Sequence, residues 1–102
     1  MKDSLDILIV GREPAILDVV ERLINSHEGW SATKAAGEEE AEAIFKTKTF
    51  RIVFVCAGIS QQQEEALSQK LKEIDPKVTV TRHYGGGSGL LENEILGIIQ
   101  KD

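Results

Sequence analysis

The chain has 102 residues, of which 41% are hydrophobic and 28% are charged, a composition typical of a globular protein and not of a disordered or fibrous one. Its formal charge is −5, because 17 acidic residues outnumber 12 basic ones, and this excludes the strongly basic surface that non-specific nucleic-acid binding requires. We therefore expect one domain over residues 1–102, with no nucleic acid among its partners.

The cysteine content and the hydropathy pattern indicate the cellular compartment in which the protein is expected. Cys56 is the single cysteine, so no disulfide can form within the chain, and no cysteine and histidine residues show zinc-like spacing. No apolar run is long enough to span a bilayer, and the first residues lack the apolar core of a signal peptide. We expect a cytoplasmic protein that has no membrane contact and needs no metal or other cofactor.

Four strands are predicted from short apolar runs that end at glycine, polar or turn-forming residues. They lie at Leu5–Val10, at Trp30–Ala35, within Arg51–Gly58 and at Val78–Thr81. The second run is the least apolar, which predicts a strand at the edge of a sheet. The third has five consecutive apolar residues ending at Cys56, which predicts a strand buried on both faces, as in a parallel sheet covered by helices.

Apolar residues at helical spacing predict a helix in each gap between these strands. The first begins at Glu13-Pro14, since proline suits a first helical turn, and the second covers residues 38–47, where acidic residues favour the positive end of a helix dipole. Ser60 is the predicted N-cap of the third helix, which ends at Asp75-Pro76. The predicted apolar faces are Ile16, Leu17, Val20, Leu23 and Ile24 in the first helix, Ala41, Ile44 and Phe45 in the second, and Leu67, Leu71 and Ile74 in the third.

A fourth helix is predicted over Leu90–Lys101, after a glycine-rich loop, and it has the widest apolar stripe of the four. Strands that alternate with helices imply right-handed crossovers and an open parallel sheet with helices on both faces. We therefore predict a three-layer α/β sandwich. The glycine-rich loop consists of Gly85, Gly86, Gly87, Ser88 and Gly89.

Three stretches, in this order, resemble a response regulator receiver domain, the flavodoxin-like module of two-component signalling. Residues 7–14 resemble its first strand and the turn after it, residues 37–45 its second helix, and residues 51–60 its third strand and the following turn. The resemblance implies the strand order 2-1-3-4. It also implies that the phosphorylated aspartate of the family falls at Cys56 and its pair of acids at Gly11 and Arg12, followed by Glu13.

The same resemblance predicts a site that has lost its chemistry. In the family, the acid pair and the aspartate hold Mg²⁺ and accept a phosphoryl group, which requires hard oxygen ligands and a carboxylate nucleophile. Gly11 offers no side chain, Arg12 brings a positive charge, and the thiol of Cys56 is a poor ligand for Mg²⁺. We expect no metal and no phosphorylation by the usual route. The hydroxyl residue that the family carries after its fourth strand matches either Thr81 or Arg82.

The C-terminal part of the chain is shorter than the resemblance requires. Only eight residues, Arg82 to Gly89, separate the fourth strand from the last helix, which leaves no room for both the fourth helix and the fifth strand of the family. A missing or vestigial fifth strand would leave the fourth at the sheet edge with unpaired backbone groups. We expect this edge or the last helix to mediate self-association or docking of a partner. The residues predicted for this interface are Leu90, Leu91, Ile95, Leu96, Ile98 and Ile99.

Several single residues have two interpretations. Cys56 is either a reactive thiol activated by Arg12, or a small apolar residue that fills the end of a strand. The glycine-rich loop either cradles a phosphate at the start of a helix or simply makes a flexible connection. Arg12 is either an ordinary surface residue or a replacement for the cation that holds Glu13.

Three functions follow from these patterns. The leading hypothesis is a receiver-like signalling domain of a phosphorelay-type system that is not an enzyme, is not phosphorylated, and acts through contacts with a histidine kinase, a regulator or an output domain. The alternative is a protein that binds a small anion or a nucleotide through Arg12, Arg82 and the glycine-rich loop. A thiol-dependent sensor that uses Cys56 is the third.

Overall fold

A computed structural model of the chain describes residues 5–56, 58–82 and 95–98. Its elements alternate as predicted. The strands are β1 (Leu5–Val10), β2 (Trp30–Ala35), β3 (Ile52–Val55) and β4 (Thr79–Arg82), and the helices are α1 (Pro14–Asn25), α2 (Glu38–Phe45) and α3 (Gln61–Ile74).

The four strands form one parallel sheet in the order β2-β1-β3-β4. This confirms the predicted strand order and the edge position of β2. The third apolar run is the centre of the structure, because every residue of β3 is buried and the strand pairs with β1 on one side and with β4 on the other. Among the described strands, β4 forms the second edge of the sheet.

The core consists of two clusters, one on each face of the sheet, as expected for a three-layer sandwich. Alternate residues of β1 and β3 point to opposite faces, so Ile7 and Phe54 pack with α1, whereas Leu8 and Val53 pack with α2 and α3. Every residue of β3, and every residue of β1 except Asp6, is buried.

Local sequence signals set the helix boundaries. Pro14 occupies the first turn of α1, where its missing N–H costs nothing. At the start of α3, the Ser60 hydroxyl accepts a hydrogen bond from the Gln63 backbone at 3.1 Å, and the Gln63 side chain accepts one from the Ser60 backbone at 3.0 Å. This capping box confirms Ser60 as the N-cap and fixes the entry of the chain into α3.

The structure corrects two predicted element boundaries. The fourth strand is one residue later than predicted, because the Val78 N–H donates to the Asp75 carbonyl at 3.1 Å and so closes a turn before the strand begins. The second helix ends at Phe45 and not at residue 47, because the Thr47 N–H turns back to the Ile44 carbonyl at 2.9 Å.

Two side chains predicted to lie on apolar helix faces are exposed instead. Ile16 is 41% exposed because it lies beside the stripe formed by Leu17, Val20 and Ile24, which faces the sheet. Ile74 is 43% exposed at the C-terminal end of α3, beyond the buried Leu67 and Leu71.

The C-terminal helix is described only at residues 95–98, which are helical. Ile95 is fully buried in the same cluster as α1, and Ile98 packs against that cluster, so this helix lies on the α1 face of the sheet. The remaining predicted interface residues Leu90, Leu91 and Ile99, and the loop Gly85–Gly89, fall outside the described residues. Within the described part of the chain, no helix has the length and apolar character needed to cross a membrane.

Candidate functional site

The carboxyl ends of β1, β2 and β3 meet at one edge of the sheet, where parallel sheets usually bind ligands. The Cys56 N–H donates to the Val10 carbonyl at 2.7 Å, and the Gly11 N–H donates to the Ala35 carbonyl at 3.1 Å. Gly11 and Cys56 therefore lie side by side, as the sequence predicts. Gly11 is buried, so the first position of the expected acid pair offers only backbone to this edge.

The Arg12 side chain runs across the carboxyl ends of the strands, from the loop after β3 to the loop after β2. A Cβ atom at Gly58, in the loop after β3, would lie only 2.8 Å from the Arg12 Cβ, and one at Gly37, in the loop after β2, would lie 3.4 Å from the Arg12 Nη2. The guanidinium donates to the Glu38 carboxylate at 2.9 Å, in the first turn of α2. The chain thus places its own cation over the three strand ends and neutralises it with its own carboxylate.

Glu13 does not join this arrangement. It is the exposed residue that precedes α1, and its side chain makes no capping hydrogen bond to that helix. The hypothesis that Arg12 holds Glu13 is corrected by the structure, because Glu38 is the ion-pair partner of Arg12. The acidic first turn of α2 offered a signal for this pairing, since the start of that helix lies at the same edge of the sheet.

Cys56 is a buried residue of the core and does not face solvent. It is 2% exposed and packs with Ile9, Phe54 and other residues of the cluster beneath α1. Burial raises the pKa of its thiol to about 11, and the positive charge of Arg82 only partly opposes this. The sequence predicts Arg12 as the cation that acts on this thiol, whereas in the structure that cation is Arg82. The effect of burial on the thiol pKa exceeds the effect of the Arg82 charge.

This environment predicts an unreactive thiol. At pH 8, a thiol with a pKa of about 11 is ionised in only about one molecule per thousand, and burial further limits access of a reagent. We expect alkylation of Cys56 by iodoacetamide to be at least about a hundredfold slower in the native protein than in denaturant. Mass spectrometry over time would measure both rates, and a native rate close to the denatured one would contradict the assignment.

The two candidates at the end of β4 point to opposite faces of the sheet. Thr81 pairs with Phe54 and Arg82 pairs with Val55, and paired residues in a parallel sheet share a face. Thr81 therefore lies on the face of Phe54 and Cys56, one residue before the strand ends. Arg82 lies on the α3 face, where its Nε donates to Glu64 at 2.8 Å and its Nη2 donates to the Ile59 carbonyl at 2.6 Å.

A cavity of about 300 Å³ lies beside the ends of β1 and β2 and shares Gly11 and Arg12 with this edge. Its polar groups already have partners, since Lys34 donates to Asp18 at 2.7 Å and lies 3.4 Å from Glu21, while Glu40 accepts from the Ala36 N–H. These carboxylates, Asp18 first, raise the pKa of Lys34. The cavity is lined by Gly11, Arg12, Pro14, Leu17, Asp18, Lys34, Ala36 and Glu40.

The residues at the strand ends do not fit a magnesium ion. Mg²⁺ prefers several oxygen ligands in octahedral geometry, whereas this edge offers a glycine backbone, a guanidinium with the Glu38 carboxylate already paired to it, and a neutral thiol. Among the described residues, no group of three or more acidic, histidine or cysteine side chains is placed to hold a metal ion.

Solved structures share this architecture. The receiver domain of the hybrid histidine kinase CckA is 20% identical, with a TM-score of 0.78 over 91% of this chain and 97% of that one. A two-component response regulator from Clostridium difficile is 13% identical, with a TM-score of 0.77 over 95% and 97%. The response regulator TrrA from Thermotoga maritima, solved in complex with Mg²⁺-BeF, is 13% identical, with a TM-score of 0.75 over 92% and 98%.

These likenesses show that the chain has the fold of response regulator receiver domains. No protein-family model matches the sequence, and no curated protein matches it. At these identities the likeness shows the fold and not the chemistry of the site.

Proposed function

We propose that this chain is a shortened receiver-like signalling domain that is not phosphorylated and acts through contacts with other proteins. The observation that supports it most strongly is the course of Arg12, which crosses the strand ends and binds Glu38 where a receiver would hold a metal ion. The domain keeps the receiver architecture without the carboxylates that phosphoryl chemistry uses.

The charge of this edge works against metal-dependent phosphoryl transfer. A divalent cation would meet the Arg12 guanidinium, and like charges at close range repel each other. Glu38 is already hydrogen-bonded to Arg12 at 2.9 Å, so using it as a metal ligand would break that ion pair. Gly11 supplies no ligand to compensate. The site therefore has neither the charge nor the donors for Mg²⁺.

Cys56 is also unsuited to receive a phosphoryl group. An acyl phosphate requires a carboxylate, and the neutral thiol lies within the apolar cluster beneath α1. Thr81 lies on the same face, one residue before the end of β4. We infer a role without catalytic chemistry.

Protein contacts are the mode of action that we propose, with a histidine kinase, a regulator or an output domain as partner, in the cytoplasm. The edge of β4 and the C-terminal helix are the proposed surfaces, for self-association or for a partner. Ile95 belongs to the core and not to this surface, because its side chain is fully buried in the cluster beneath α1. Among the other predicted interface residues of that helix, Leu96 and Ile98 are half-buried.

Binding of a small anion is less well supported. The two arginines proposed for it already bind carboxylates, Arg12 through Glu38 and Arg82 through Glu64. An anion would compete with both acids for the guanidinium groups, and no observation favours its binding.

Phosphoryl transfer from acetyl phosphate in the presence of Mg²⁺ tests the proposal. A phosphoryl group adds about 80 Da, so intact-mass spectrometry detects it directly. We expect the mass of the protein to stay unchanged after incubation, because neither a carboxylate acceptor nor a metal site is available.

A further inference from the structure

The geometry at the end of β4 points to a built-in conformational lock: we infer that Arg82 fastens this strand to the loop after β3 and keeps both in one conformation without any bound signal. The inference deepens the proposed function and rests on it, because the lock acts on the strand ends where a receiver would respond to phosphorylation. It concerns Arg82, Glu64 and residues 58–60.

Arg82 makes two contacts that join separate parts of the chain. Its Nε binds Glu64 in the first turn of α3, and its Nη2 binds the carbonyl of Ile59 in the loop between β3 and α3. The planar guanidinium fixes the direction of both hydrogen bonds at once, which a lysine could not do. These hydrogen bonds thus connect the end of β4 to the loop after β3 and to α3.

Among the ion pairs of the described residues, this one is the most shielded from water. The side chains of Arg82 and Glu64 are 19% and 22% exposed, whereas those of Arg12 and Glu38 are 52% and 29% exposed. Ion pairs that are partly shielded from water are screened less by salt. Cys56 stays neutral at physiological pH, so it does not compete with Glu64 for the guanidinium.

Gly58 and Ser60, in the same loop, are also held in place by neighbouring residues. Gly58 takes a backbone φ of +95° and packs against Arg12, and Ser60 is fixed by its capping box with Gln63. Ile59 itself is buried. The hydrogen bond from Arg82 to the Ile59 carbonyl connects this loop to the neighbouring strand β4. A switch needs two accessible arrangements, and these contacts favour one of them.

The test compares backbone amides in the wild type and in Arg82→Met, which keeps an unbranched apolar stem and removes the guanidinium with its donors. We expect hydrogen exchange of the amides at residues 58–64 to accelerate by about tenfold or more, because a charge-assisted hydrogen bond contributes at least that factor to an opening equilibrium. NMR relaxation dispersion should then show microsecond-to-millisecond exchange at these residues, which the wild type lacks.

The matched control is Lys48→Met, which also removes one positive charge but breaks an ion pair with Asp6 at the opposite end of the sheet. It should leave the exchange at residues 58–64 unchanged. The amides of Ile7 and Ile9 in β1 report global opening in every variant, and they should not accelerate with the loop. If Arg82→Met fails to fold, Glu64→Gln keeps the shape and removes one charge, and it should accelerate the same amides by a smaller factor.

Two results would overturn the lock. One is exchange in Arg82→Met, or in its substitute, that stays at the wild-type level at residues 58–64. The other is acceleration that is uniform across the sheet, which would make Arg82 a contributor to global stability only. Neither result bears on the proposed function, because an acetyl phosphate adduct is what would refute that proposal.

Discussion

Substitution of Phe54 by alanine should lower the free energy of unfolding by about 3–5 kcal/mol, a large part of the 5–15 kcal/mol that a domain of this size has. Phe54 is fully buried in the central strand, between Ile9 of β1 and Thr81 of β4. Removal of its ring leaves a cavity that two neighbouring strands and the α1 layer cannot easily close. Urea denaturation followed by circular dichroism would measure the change.

Val19→Ala is the control for Phe54→Ala. Val19 lies in α1 and is 48% exposed, so we expect its free energy of unfolding to change by less than about 0.5 kcal/mol. A loss below about 1 kcal/mol for Phe54→Ala would contradict the central position of β3.

Gly58→Ala should lower the free energy of unfolding by about 2–4 kcal/mol, because it introduces both backbone strain and a steric clash. The backbone φ of +95° disfavours any residue with a Cβ, and the new Cβ would lie 2.8 Å from the Cβ of Arg12. Neither cause can be relieved by a simple side-chain rotation, since the Arg12 backbone nitrogen also lies 3.2 Å away. The same denaturation experiment applies.

A double-mutant cycle separates the two causes. Arg12→Gly removes the clashing Cβ but leaves the backbone strain, so the pair of substitutions should recover about 1–2 kcal/mol relative to the sum of the single ones. Gly37→Ala is the matched control, because its φ of 166° is extended and a Cβ there would be in ordinary contact. Purely additive effects of Arg12→Gly and Gly58→Ala would show that Arg12 does not pack over the loop.

The fold followed from the sequence because its signals are local and agree with each other. The unbroken apolar run of β3, the proline at the start of α1 and the Ser60 cap each specify an element without reference to distant residues. Alternation of strands and helices then restricts the topology to a few arrangements. The errors lie at element ends, as in β4, where one turn hydrogen bond of Val78 decides the boundary.

The candidate site was only partly predictable. The sequence correctly indicated that Gly11 and Cys56 meet, because carboxyl ends of parallel strands converge. It could not indicate the directions of Arg12 and Arg82, which depend on carboxylates 26 and 18 residues away in sequence. A long side chain can reach several partners, and only the folded chain brings them together. The pairing of Arg12 with Glu38 and of Arg82 with Glu64 is therefore visible only in the structure.

The proposal that this receiver fold works without phosphorylation is most directly tested by incubation with acetyl phosphate and Mg²⁺, followed by intact-mass spectrometry. A phosphorylatable receiver domain treated in parallel shows that the donor is active. With Arg12 paired to Glu38 and Cys56 buried, we predict no adduct on this chain while the control gains about 80 Da. A stable adduct of that mass, dependent on Mg²⁺, would contradict the proposal.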